Sequence, residues 1–177
     1  GLQSVEEFQA MREAGVTRYH ANLETSRRNF PNICTTHTYE DKLENIRRAK
    51  SAGLEVCSGG ILGMGETWED RIDMALDLSE LGAVSIPLNL LTPIPGTPLE
   101  EAEPLTEGEV FRSVAIFRLL NPTAWIRMAA GRRRFAGGGR KLFRCGANAA
   151  ITGEMLTTTG TGIAGDRAMF AQLGYEI

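Results

Sequence analysis

The strongest constraint on the fold is a helix-start signature that recurs four times: Ser4-x-x-Glu7, Thr38-x-x-Asp41, Thr67-x-x-Asp70 and Thr106-x-x-Glu109. In each, a hydroxyl can accept from the amide three residues on, while the acid reaches back to the first amide, so two orphan donors of the opening turn are satisfied together. Apolar residues at helical spacing follow, such as Ile72, Leu76 and Leu81, or Val110, Val114 and Phe117. Helix ends are marked by Gly15, Gly53, Gly82, Gly146 and Gly174, each suited to the left-handed residue that closes a helix. After the first four of these glycines the chain turns short and apolar, predicting strands over residues 16–22, 54–61, 83–91 and 147–152. A fifth strand, 124–130, follows the helix stop at Pro122. Five strands alternating with about six helices read as parallel βα units with right-handed crossovers. Residues 132–140 read as a Gly/Arg-rich loop.

What the strands carry separates a barrel from an open sheet. Open doubly wound strands tend to be continuously apolar, whereas these hold Asn22, Glu24, Cys57, Asn89 and Arg127 in or just beyond the strands. Polar groups at strand ends suit the C-terminal mouth of a barrel, so the expected fold is α/β, a parallel TIM-barrel type. Five strands do not close a barrel, so roughly three more are expected before Gly1. The chain begins without methionine, and a helix is its first element. Residues 1–177 are therefore expected to form a single domain, the C-terminal portion of a longer barrel.

Composition narrows the function classes. With 42% hydrophobic and 23% charged residues, the chain can form one sizeable core. A net charge of -3 exerts no global pull toward nucleic acid or an anionic membrane, so a small-molecule substrate is expected, with neither nucleic acid nor membrane as partner. No signal-peptide pattern opens the chain, and a cytoplasmic location is expected. Cys34, Cys57 and Cys145 are an odd set at wide spacing, unlike a disulfide framework or the tight pairs of a structural zinc site.

Among residues that could carry chemistry, Cys57 lies in Val56-Cys57-Ser58-Gly59-Gly60, where the glycines permit close approach of a ligand. Its thiolate could hold a metal or an iron-sulfur cluster, or the residue could be a small buried hydrophobe. Arg127 interrupts an apolar strand and needs an anionic partner, which a structural ion pair would also provide. Asn22 and Glu24 alternate at a strand end and could bind a ribose diol or cap a loop. Asn89 could recognise a urea-like group or pair with neighbouring backbone. The glycine-rich run from Gly59 to Glu66 does not reproduce G-x-G-x-x-G, which excludes a nicotinamide site. His20 and His37 are too few for a histidine-based metal centre, and Cys34 and Cys145 read as structural.

Taken in order, several stretches resemble the biotin synthase family of radical S-adenosylmethionine enzymes. They are residues 19–26, Asn32-Ile33-Cys34-Thr35-Thr36-His37-Thr38-Tyr39, Val56-Cys57-Ser58-Gly59-Gly60-Ile61, Ser85-Ile86-Pro87-Leu88-Asn89, 122–132, and 146–148 through 156–158. The run Gly59-x-Ile61-x-Gly63-x-x-Glu66 also looks like a segment that approaches adenine across radical S-adenosylmethionine enzymes. The resemblance implies S-adenosylmethionine on a reduced 4Fe-4S cluster, a deoxyadenosyl radical abstracting hydrogen from dethiobiotin, and sulfur inserted from an auxiliary iron-sulfur cluster, 2Fe-2S in type. It further implies Cys57 and Arg127 as ligands of the auxiliary cluster, Asn22 and Glu24 at the ribose, and His20, Asn89 and Thr157 at the substrate's ureido ring. A flavodoxin or ferredoxin as reductant and a homodimer of the complete protein are implied as well.

The sequence departs from the commonest family run, Y-N-H-N-L-D, reading Tyr19-His20-Ala21-Asn22-Leu23-Glu24. Glu24 keeps a carboxylate with one more methylene, His20 replaces an asparagine, and Ala149 stands where a serine often supports the arginine. The C-x₃-C-x₂-C loop of the 4Fe-4S cluster and two further auxiliary-cluster cysteines have no counterpart here, so this chain alone is expected to be inactive. The competing readings are another radical enzyme on the same barrel, such as a hydrogenase maturase or methylornithine synthase, and a barrel fragment that only binds ligand.

Overall fold

The computed structural model describes residues 1–153 and 161–176. In chain order the elements are α1 (Val5–Glu13), β1 (Arg18–His20), α2 (Phe30–Ile33), α3 (Tyr39–Ser51), β2 (Glu55–Cys57), β3 (Gly60–Leu62), α4 (Trp68–Glu80), β4 (Ser85–Leu90), α5 (Glu107–Leu120), β5 (Trp125–Met128), α6 (Ala136–Arg144), β6 (Ala149–Ala150) and α7 (Ile163–Gln172). All four expected capping boxes form, opening α1, α3, α4 and α5. At α4, for example, Asp70 N donates to Thr67 Oγ1 at 3.2 Å and Thr67 N to Asp70 Oδ2 at 2.8 Å.

The strands form one parallel sheet in the order β1-β2-β4-β5-β6, with β3 also paired to β4. Period-two alternation divides its faces. Val56, Ile86, Leu88, Ile126 and Met128 are buried in a core shared with Leu43 and Ile46 of α3, Met74 and Leu78 of α4, and Val114 and Phe117 of α5. Burying such side chains contributes roughly 1.5–3 kcal/mol each, which is what holds the helices to one face. The opposite face carries His20, Cys57, Ser85 and Trp125 in one register row and Pro87, Arg127 and Ala149 in the next.

Two expectations need correction. The strand expected over 54–61 is divided at Ser58-Gly59, giving six strands among the described residues. There Gly59 N donates to Asn22 Oδ1 at 3.1 Å, Gly59 O accepts from Glu24 N at 3.1 Å, and Ile61 N donates to Glu24 O at 2.9 Å. A Cβ on Gly59 would fall well inside contact distance of the Pro87 carbonyl oxygen, so the crowding between strands selects glycine. The stretch 132–140 is not simply a loop: it holds a 3₁₀ turn at Arg132–Arg134 and the start of α6. Gly137, Gly138 and Gly139 take left-handed φ values of 61°, 66° and 78°, a run in which side chains would be strained. Arg132, only 1% exposed, donates from Nη1 to Gly138 O at 2.6 Å and pairs with Asp166 of α7 at 2.6 Å.

Candidate active site

At the end of β1 and β2 the parallel register sets His20 beside Cys57. His20 Nδ1 lies 3.3 Å from Cys57 Sγ. Burial pushes the Cys57 thiol up, but the His20 contact, the neighbouring Ser85 hydroxyl and the positive charge of Arg127 outweigh it, holding the thiol below its usual value. The Ser85 hydroxyl, in register with Cys57, is buried without a well-formed hydrogen bond of its own. The same Cys57 contact raises His20 against the opposing effect of its partial burial.

Arg127 projects from the same face as Cys57, two residues along β5 from the row that contains it. Its Nε is buried and has no hydrogen-bond partner. Ala149 is directly in register beside it, and a methyl group offers nothing to a guanidinium. A half-buried thiol inclined to ionise and a buried, unpartnered N–H on one face form a donor set that suits an anionic sulfur-rich group. Among the described residues, no cluster of three or more His, Cys, Asp and Glu side chains could hold a metal by itself.

Asn22 and Glu24 come together at the end of β1, with Asn22 Nδ2 3.5 Å from Glu24 Oε2. Burial raises the Glu24 carboxyl despite Lys42, Asn22 and His20, which favour its charged form. Glu24 also has a φ of 73°, the one non-glycine among the described residues in the left-handed region. Asn89 uses much of its capacity on backbone: Ala130 N donates to Oδ1 at 3.2 Å, and Nδ2 donates to Gly60 O at 3.4 Å. One N–H of its amide stays available. Thr157 lies outside the described residues.

Glu66 organises the loop in a way that spacing did not disclose. Its buried carboxylate accepts from Gly63 N at 2.9 and 3.0 Å, from Met64 N at 2.7 Å and from Arg71 Nε at 2.8 Å. The pair is nearly inaccessible, at 4% and 1% side-chain exposure, and the Arg71 guanidinium lies 4.6 Å from the Trp68 ring centroid. The Glu66 carboxylate thereby fixes the turn at the end of β3. The sequence marked Glu66 as the end of a glycine-rich run and of a segment resembling one that approaches adenine, but not as the acceptor that holds the loop; an acid so placed after such a loop is the available signal.

This fold and site define a parallel βα domain of the TIM-barrel type with its polar groups on the face opposite the helices. A solved methylornithine synthase matches 99% of this chain and 56% of its own, with a TM-score of 0.80 at 20% identity, and bears on the fold alone. The chain belongs to the Biotin and Thiamin Synthesis associated domain family, matched over residues 87–176, and residues 1–78 match the Radical SAM superfamily. Biotin synthases of Clostridium beijerinckii and Akkermansia muciniphila are each 59% identical over all 177 residues. The chain spans 56% and 55% of their respective lengths. Among the described residues, no helix is long and apolar enough to cross a membrane.

Proposed function

We propose that this chain is the substrate-side portion of a biotin synthase, which inserts sulfur into dethiobiotin to form biotin. The observation that carries this reading is the placement of Cys57 and the unpartnered Arg127 Nε on one face of the sheet, in a chain 59% identical to biotin synthases along its whole length. Identity of 20% to methylornithine synthase, by contrast, supports only a common fold.

Cys57 and Arg127 would hold the auxiliary iron-sulfur cluster, and the thiol's tendency to ionise suits it as a ligand. When bound, S-adenosylmethionine with its 4Fe-4S cluster supplies a hydrogen-abstracting radical, and the auxiliary cluster supplies sulfur. Asn22 and Glu24 orient the S-adenosylmethionine ribose through hydrogen bonds. The remaining amide N–H of Asn89, with Thr157, orients the ureido ring. Glu66 keeps the adjoining loop in a single conformation, which limits the freedom of a nucleoside bound against it. The 4Fe-4S ligands belong to the rest of the protein, so activity requires the complete polypeptide, with a flavodoxin or ferredoxin as reductant and a cytoplasmic homodimer as its setting.

The test is anaerobic reconstitution of the complete protein with iron, sulfide, S-adenosylmethionine, reductant and dethiobiotin, followed by mass spectrometry. Biotin carrying the added sulfur isotope is expected. Cleavage of S-adenosylmethionine with no biotin formed would overturn the assignment.

A further inference from the structure

His20 sits in register with Cys57 on the neighbouring strand, so the two side chains leave the same face of the sheet. Its Nδ1 is 3.3 Å from the sulfur, within reach of an N–H···S hydrogen bond, and a thiolate requires that the ring nitrogen be the donor. The other groups around this pair are the Ser85 hydroxyl, which makes no well-formed hydrogen bond, the Glu24 carboxylate and Arg127. Of these side chains His20 makes the close contact to Cys57 Sγ among the described residues, and the Ser85 hydroxyl and Arg127 act in the same direction by favouring the thiolate.

We propose that His20 is a positioning residue whose Nδ1–H hydrogen-bonds the Cys57 sulfur, fixing that thiolate's orientation and raising the reduction potential of the iron-sulfur centre it holds. This rests on the reading of Cys57 as a cluster ligand. Hydrogen bonds to ligand sulfur remove electron density from it and favour the reduced centre, and partners of this kind also set ligand orientation. The geometry gives Nδ1 to the Cys57 sulfur. An asparagine at the same position carries its Nδ2 at the same branch point as the imidazole Nδ1, so the donor role is transferable between the two residues.

The experiment uses the complete protein with its auxiliary centre reduced. Pulsed electron-nuclear double resonance in H₂O and D₂O is expected to find a strongly coupled exchangeable proton. His20→Leu is expected to lose that proton and shift the midpoint potential downward, and His20→Asn to restore both. Unchanged coupling and potential in His20→Leu, with a raised KM for dethiobiotin, would make His20 a substrate contact and overturn the proposal. A large nitrogen coupling typical of direct histidine ligation would overturn it too. If His20→Leu fails to assemble, the exchange measurement on the unmodified protein and the His20→Asn potential still decide. Absence of any auxiliary centre from the unmodified protein would instead remove the functional reading beneath it.

Discussion

Replacing Asp166 by alanine tests the contact that ties α7 to the turn after β5. Arg132 donates to Asp166 Oδ1 at 2.9 Å and Oδ2 at 2.6 Å, to Thr161 Oγ1 at 2.6 Å and to Gly138 O at 2.6 Å. Without the carboxylate, a guanidinium at 1% exposure retains only neutral acceptors. Breaking a buried pair from one side costs about 3–5 kcal/mol, against about 0–1 kcal/mol for an exposed pair. The exposed Arg18–Glu55 pair, 2.6 Å apart at 40% and 52% side-chain exposure, is the internal control. At roughly 2–4 °C per kcal/mol, Asp166→Ala is expected to lower the thermal midpoint of the complete protein by about 6–20 °C, and Glu55→Ala by no more than about 4 °C. Circular dichroism during heating measures both. Burial pushes the Asp166 carboxyl up, but hydrogen bonds from Arg132 and Thr161 outweigh it and hold it below the usual range. A depressed carboxylate stabilises the fold at neutral pH, and the contribution is lost as pH falls below about 4. Asp166→Asn is therefore expected to flatten that acid limb. Equal midpoints for Asp166→Ala and Glu55→Ala would refute the reasoning.

Gly59→Ala places a methyl group against the Pro87 carbonyl and is expected to cost at least about 1–3 kcal/mol, read as a fall in soluble yield and thermal midpoint. Thr67→Ala removes the hydroxyl that accepts from Asp70 N and is expected to cost about 0.5–2 kcal/mol in denaturant unfolding. Glu24 runs opposite to Asp166: burial raises its carboxyl, so its neutral form is favoured by folding and stability is lost as pH rises through the raised value. Glu24→Gln is accordingly expected to raise the thermal midpoint at pH 7, with the difference vanishing below about pH 4.

The helices were legible because their signals are local. Thr67 and Asp70 are three residues apart, and the chemistry that pairs them needs no tertiary partner. The break between β2 and β3 was not, because it depends on Pro87 and Glu24 approaching Gly59 and Gly60 across the sheet. Arg132 and Asp166 are 34 positions apart, and only packing of α7 reveals that they meet. Of the candidate site, the residue types at strand ends were legible, whereas the common face of Cys57 and Arg127 is a matter of strand register. For Asn89, pairing with neighbouring backbone was one of the two readings, and the partners, Ala130 and Gly60, are set by β4 lying between β3 and β5. His20 was read at a substrate ring, and its 3.3 Å approach to the Cys57 sulfur follows from strand register, which residue types alone do not give.

The central claim is that Cys57 serves as a ligand on the face shared with Arg127. Its most direct test compares the visible absorption and Mössbauer spectra of the anaerobically reconstituted complete protein with those of Cys57→Ala, using Cys145→Ala, which packs against the core, as control. The expected result is loss of the auxiliary-cluster signals in Cys57→Ala alone, with the 4Fe-4S signals intact in all three proteins. Identical spectra for Cys57→Ala and the unmodified protein would contradict the account.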